Sequence, residues 1–224
     1  SRARHNRIVA NIRALSLISE IVLVQEAHLN HLDNFTFASI LPGWTPFYSN
    51  KSNGRAGTVT LISPTLTATH NPTQPAISPD AAGHVLPVLL TPINEADHSI
   101  LVINLYLATG KKQAARLANQ LKAAVALPSA DYNFAGGDLN FVEDAVDTTG
   151  SDPHKLPAYA KSAWEAFLVH FRLSEAVQPI HTYFSISDNL SNSHSSRLDR
   201  LFHSFSEADL SLFQPIAHIP AIPY

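Results

Sequence analysis

With 224 residues, 45% of them hydrophobic, the chain has ample apolar material for the core of one domain, and nothing in its length requires a second. Only 15% of residues are charged and the formal net charge is -3, which excludes a global electrostatic pull toward nucleic acid and makes any polyanion binding local or metal-assisted. Cysteine is absent, so disulfides and thiolate metal sites are excluded, a bound metal must use oxygen or imidazole donors, and the redox compartment stays open.

The chain contains no methionine and opens SRARHNRIVANIRAL as though already inside a helix, so residues 1–224 read as one domain cut from something longer. Apolar spacing predicts that helix over about residues 6–19, with Ile8, Ile12 and Leu15 on one face and Asn6 as its cap. Arg2, Arg4, Arg7 and Arg13 make this end basic, which suits a solvated face or contacts with phosphates. IVLVQE, residues 21–26, reads as a strand ending in the carboxylate of Glu26, and 28–40 as a helix or irregular turn. Pro42 and Gly43 punctuate. Residues 44–49 suit a short strand, SNGRAG (52–57) a turn, and TVTLIS (58–63) alternates as a strand should, which together predict a hairpin. Four prolines and few apolar residues make 64–79 a surface loop. Strands resume at 84–90 and 100–105.

Residues 111–127 give the clearest helix, with Ala114, Leu117, Leu121 and Val125 in one apolar stripe. It joins the strand ending at Tyr106 to the strand carrying Asp138. Residues 146–157 are polar and turn-rich, a rim loop, and 158–172 form a second amphipathic helix through Trp164, Phe167, Leu168 and Phe171. A strand is expected at 181–184, a Ser/Asn-rich loop at 185–196, and a strand at SRLDRLFHS (196–204). No apolar run approaches membrane-spanning length and no stretch has a signal peptide's layout, so a soluble domain without membrane contact is expected. Strands outnumber helices and several suggest burial on both faces, which predicts a layered α/β or α+β fold.

The stretch on which function turns is DYNFAGGDLNF, residues 131–141. Side chains alternate faces in a strand, so at its end Asp138 and Asn140 share one opening while Leu139 enters the core. Gly136 and Gly137, without Cβ atoms, let backbone or a ligand come close. Asp and Asn also start turns where strands stop, and that simpler role fits the same residues. Glu26 and Asp199 shift the balance: three carboxylates sit at strand positions where solvation is doubtful, and such groups usually have a cation or a catalytic task.

The ordered set LVQEAH (23–28), NLYLATG (104–110), GGDLNF (136–141) and SRLDRLF (196–202) resembles the endonuclease/exonuclease/phosphatase superfamily. Its SRLDR form is most like the retroelement-type and apurinic-endonuclease-like members. The resemblance implies a deoxyribonuclease I-like fold: a four-layer α/β sandwich of two packed β-sheets flanked by helices, with the active site at one end of the sheets. It also implies metal-dependent phosphodiester hydrolysis. Such a bond resists attack because the incoming oxygen meets an anion, so a catalyst needs a hard cation and a group that orients or deprotonates water. Glu26 matches the metal-binding glutamate, for Mg²⁺ with Mn²⁺ as a substitute; Mg²⁺ keeps several waters, so one or two carboxylates suffice. Asp138 matches the aspartate that positions or activates water, and Asn140 the asparagine that contacts phosphate and nucleophile. Tyr106 stands where a tyrosine hydrogen-bonds the scissile phosphate, and Asp199 matches the aspartate that orients a histidine in a downstream Ser-Asp-His motif. A strand-end surface Glu26 and a Tyr106 packed on a loop are the structural alternatives.

The sequence departs from the pattern at both ends, with no Ser-Asp-His before Tyr224 and no first strand carrying an asparagine near the metal. Residues 1–224 alone are therefore expected to bind Mg²⁺ weakly and to nick DNA near background. His203 and His218 lie outside the required motif and read as satisfied or solvated. None of the twelve histidines shows HExxH or HxH spacing, so none is assigned as a ligand. The implied partner is DNA, within a larger polyprotein and in the nucleus if the chain serves a retroelement. A phosphatase or ribonuclease of the same superfamily, and a noncatalytic relic or binding module, are the alternatives, because the shared core does not choose the leaving group.

Overall fold

The computed structural model describes residues 2–27, 37, 39–50, 57–107, 114–143, 148–149, 156, 158–176, 183–185, 194–196 and 198–210. It opens with α1 (Arg2–Ser16), β1 (Ile21–Val24), β2 (Thr45–Asn50) and β3 (Gly57–Ile62), and β3 runs antiparallel between the other two strands. A short helix α2 (Pro64–Thr69) leads into β4 (His70–Thr73), followed by β5 (Val85–Pro92) and β6 (Ile100–Tyr106). After α3 (Ala114–Val125) come β7 (Tyr132–Asp138), α4 (Ala158–His170) and β8 (Ser174–Glu175). The pair β9 (Tyr183–Ser185) and β10 (His194–Ser196), then β11 (Asp199–His203) and α5 (Glu207–Leu210), complete the described elements.

Six strands form the larger sheet in the order β4-β5-β6-β7-β11-β8, antiparallel except for β6 and β7. That parallel pair follows from the connection, since a chain that leaves one strand and returns in the same direction needs a crossover, here α3. Period-two alternation then sorts β6: Leu101, Ile103 and Leu105 face α3 and α4 with Leu117, Leu121, Trp164 and Phe167, while Val102 faces the smaller sheet with Ile62, Leu86 and Leu23. On its other face the smaller sheet packs Val22, Val59 and Leu61 against Ile12, Val9 and Leu15 of α1. The fold is thus a four-layer sandwich of helix, sheet, sheet and helices.

One polar side chain interrupts the apolar run of β6 on the face between the sheets. Asn104 is fully buried there; its Nδ2 donates to the carbonyls of Val59 (2.8 Å) and Val24 (3.3 Å), and its Oδ1 accepts from Gln25 Nε2 at 2.8 Å. The larger sheet is thereby bonded to two strands of the smaller one. The two glycines of β7 serve a similar closeness. A Cβ on Gly136 would meet Leu201 Cδ2 and Leu23 Cδ1, and one on Gly137, which has φ +137°, would lie 2.0 Å from the Leu105 carbonyl oxygen. The approach these glycines permit is that of the protein's own atoms rather than of a ligand.

Several expectations change. Asn6 does not cap α1, because the helix already begins at Arg2. The proline-rich stretch is not simply a loop: Pro64 occupies the first turn of α2, where a missing N–H costs nothing, and Ser63 Oγ accepts the Leu66 N–H at 3.2 Å. Pro72 lies on β4, at the sheet edge where proline is tolerated. Part of the expected Ser/Asn-rich loop is strand β10, paired with β9, and the last strand starts at Asp199 rather than Ser196. Most of 28–40, the turn at 52–56, most of 146–157 and His218 lie outside the described residues.

Replacing Asn104 with Ala removes these bonds and leaves buried carbonyls short of a donor. A loss of about 1–3 kcal/mol is expected, read as a lower urea midpoint with an unchanged slope.

Candidate active site

The sheet register builds the site. Tyr106, at the end of β6, stands opposite Asp138 at the end of β7, and Asp138 stands opposite Asp199 at the start of β11. Residues directly paired across neighbouring strands point to the same face, so one phenol and two carboxylates form a row. Their alternation with Phe134 and Gly136 directs Asp138 to the side that meets the smaller sheet. From that sheet comes Glu26, whose Oε1 accepts the Tyr106 hydroxyl at 2.7 Å. The four residues are brought together although the first and last are far apart in sequence.

Glu26 is not on a strand, as the sequence suggested. β1 ends at Val24, and Glu26 lies exposed two residues later with φ +51°. The next residue returns to the sheet, where Ala27 N–H donates to the Gly57 carbonyl at 2.9 Å. A left-handed backbone at a non-glycine residue is strained by about 1–3 kcal/mol and persists only where its surroundings impose it.

Asn140 likewise arrives by a turn and not by strand alternation. β7 stops at Asp138, and Asn140 has φ +57°, a conformation Asn tolerates better than most residues. Its N–H donates to Asp138 Oδ1 at 2.9 Å and its Nδ2 to the Leu107 carbonyl at 3.0 Å. Leu139 between them is fully buried and donates its N–H to Leu198. The turn-starting role and the site role therefore coincide in one segment.

Electrostatically, the row is a concentration of negative charge. The Asp138 carboxyl is pushed up from 3.8 to about 7, first by burial and then by the Asp199 carboxylate, with Glu26 adding to the rise and the Asn140 N–H opposing it. Hard oxygen donors that repel one another fit a hard divalent cation. Among the described residues no group of three or more His, Cys, Asp or Glu could hold a metal ion. Any divalent cation held here would therefore take one or two of these carboxylates and fill its remaining positions with water.

His203 lies away from this end, paired with Phe134 and Ser174. It is not solvated: its ring is buried and stacked on Phe205, burial pushes its pKa down, and among the described residues its Nδ1 has no hydrogen-bond partner. Arg13 donates Nε to the Ile40 carbonyl. Sequence reasoning missed His84 and Arg116, which stand behind Tyr106; their 32-residue separation offers no motif.

The raised Asp138 pKa fixes a sign for stability. Between 3.8 and about 7 the folded protein holds a proton that the unfolded chain has lost, so this residue's contribution to stability falls as pH rises through that window. Asp138→Asn, which keeps the shape and removes the charge, should melt higher than the parent near pH 8 and equally near pH 4. The gain should be about 2–4 °C for each kcal/mol relieved, measured by thermal melts in chelator.

A family model described as the Endonuclease/Exonuclease/phosphatase family matches residues 1–209. No protein of curated function matches the sequence. Among solved structures, the AP endonuclease LMAP from Leishmania major superposes with a TM-score of 0.65 and 15% identity, covering 90% of this chain and 74% of that one. The 3' phosphatase NExo from Neisseria, bound to a product DNA hairpin, gives 0.63 and 16% over 89% and 82%. The endonuclease domain of TRAS1, a telomere-specific non-LTR retrotransposon, gives 0.57 and 16% over 91% and 81%. At these identities the likeness to solved structures is one of fold, and it is the family match over most of the chain that decides membership. The chain belongs to the endonuclease/exonuclease/phosphatase family.

Proposed function

We propose that the protein is a divalent-metal-dependent endonuclease acting on DNA, in the manner of a retroelement endonuclease domain, and that its place of action is then the nucleus. The observation that carries this reading is the row of Tyr106, Asp138 and Asp199, with Glu26 bonded to its tyrosine. DNA is favoured as substrate by the SRLDR form of the Asp199 segment and by the likeness to an AP endonuclease and to the TRAS1 endonuclease domain.

In this reading Asp138 takes the proton of the attacking water. A base works best when its pKa lies near the operating pH, and a carboxyl at about 7 meets that condition where an ordinary one does not. Asn140, held by Leu107 and bonded to Asp138 through both its backbone N–H and its side chain, orients the base and stands beside the place of the attacked phosphate. Tyr106 directs its hydroxyl toward Glu26, and the same O–H can serve the scissile phosphate when substrate enters. Glu26 is the residue that would hold Mg²⁺ or Mn²⁺, which supplies positive charge to the phosphoryl oxygens when bound. Asp199 keeps its neighbour's pKa high in addition to the orienting part its sequence motif implies.

Nicking of supercoiled plasmid in Mg²⁺, run beside release of inorganic phosphate from small phosphoesters, tests the reading. In the full-length protein, Asp138→Ala should lower nicking by about a hundredfold or more, with a smaller loss in DNA binding; equal rates would reject the base assignment. The rate should rise with pH and level off once Asp138 is ionised. Asp199→Asn removes one of the charges that hold this pKa up, so its plateau should begin at lower pH. Phosphate release without nicking would transfer the site to a phosphatase.

A further inference from the structure

We propose that His84, locked in one tautomer by Arg116, is a positioning residue that sets the phenol of Tyr106 against Glu26. The catalytic consequence rests on the function proposed above; the geometry does not. His84 directly precedes β5 and continues its pairing with β6 one step past Val85 and Leu105, for Tyr106 N–H donates to the His84 carbonyl at 2.7 Å. The side chain then returns the bond: His84 Nδ1 lies 2.6 Å from the Tyr106 carbonyl oxygen. On its other edge, Nε2 lies 2.8 Å from Arg116 Nη2. A carbonyl can only accept and a guanidinium can only donate, so both contacts are satisfied by one species, the neutral ring with its proton on Nδ1.

That ring is buried and lies nearly parallel to the Tyr106 ring, 13° between planes and 5.6 Å between centroids. Tyr106 is the last residue of its strand, where the sheet ladder no longer limits side-chain direction by itself. The imidazole supplies a flat wall in that place. With the backbone pinned from both sides and one ring face covered, the phenol projects toward the smaller sheet, where its hydroxyl meets Glu26 at 2.7 Å. Arg116 belongs to α3, the crossover that joins the strand ending in Tyr106 to the strand ending in Asp138, so the helix that spaces the row also fixes the tautomer at its outer end.

A histidine that merely fills space behind Tyr106 would be replaced by Phe without effect on the phenol. The test places 3-fluorotyrosine at position 106 and follows it by ¹⁹F NMR in the whole protein, without need of catalysis. In the parent, Glu26→Gln should shift the resonance, because it weakens the acceptor of the phenol. In Arg116→Met, which keeps the packing of the stem, and in His84→Phe, which keeps the stack, the response to Glu26→Gln should be lost. His84→Asn, whose amide can still donate to the Tyr106 carbonyl, should retain part of it. An undiminished response in Arg116→Met and His84→Phe overturns the proposal, and Arg116→Met decides alone if the His84 variants do not fold.

Plasmid nicking in Mg²⁺ gives the second arm. Arg116→Met and His84→Phe should lower kcat about tenfold, as loss of an orienting partner does, with KM unchanged. A lost NMR response with unchanged kcat overturns the catalytic consequence. A full-length parent without nuclease activity overturns the proposed function and leaves the NMR arm to decide the positioning role.

Discussion

The distance between the two sheets at their active end is set by Asn104. Its side chain extends from β6 to the carbonyls of Val24 on β1 and Val59 on β3, and it also holds Gln25. Gln25 adjoins Glu26, and Asn104 lies two residues before Tyr106 on the same face of the strand. The contact between Glu26 and Tyr106 is therefore one rung beyond a buried, fully committed amide. A buried amide is costly unless its hydrogen bonds are made, so register errors between the sheets are penalised at this point. An apolar side chain in its place could slide; an amide that needs particular carbonyls cannot.

Behind the row lies a second charge system of opposite design. Arg200, next to Asp199 on β11, points to the helix side and is buried, with Cζ 5.1 Å from the Phe202 ring centre. Its guanidinium bonds Glu175 through both Nε and Nη2 and pairs with Glu143 at 2.6 Å, while Glu143 also accepts the Trp164 indole N–H at 2.8 Å. Removing one partner of such a buried pair costs about 3–5 kcal/mol, because the other charge is left in the interior. The network ties the segment that follows β7, and hence the Asn140 turn, to β8 and α4. Here the fold neutralises its carboxylates; on the other face of the same strand it sets Asp199 beside Asp138 and raises a pKa instead.

What could be read in the sequence was what a repeat period or a long apolar run encodes. The stripe of Leu117 and Leu121, the aromatic face of Trp164, Phe167 and Phe171, the run of β3 and most of β5 and β6 are buried as their spacing indicates. The ordered motifs gave the family for the same reason: each ends or begins a strand at one end of the sheets. Unreadable were elements too short to show a period, such as β8 and β10, and those whose prolines disguised them, such as α2 and β4. Left-handed backbone at Glu26 and Asn140 also escaped, since alternation presumes that the strand continues. His84 and Arg116 meet only because α3 packs beside the start of β5, and no local pattern encodes that.

These features combine in the ionisation of Asp138. Burial and two neighbouring carboxylates favour its proton, and hydrogen bonds from the backbone and side chain of Asn140 favour its charge, so the balance rests near neutral pH rather than at either extreme. A carboxylate in that balance responds to any change in the charge around it. In the function proposed above, a cation held by Glu26 and a proton on Asp138 would be antagonistic, and by linkage each would weaken the other to the same degree. Tyr106 donates to Glu26 and sits beside Asp138 in the row. The position of one phenol thus bears on two of the carboxylates of the site at once.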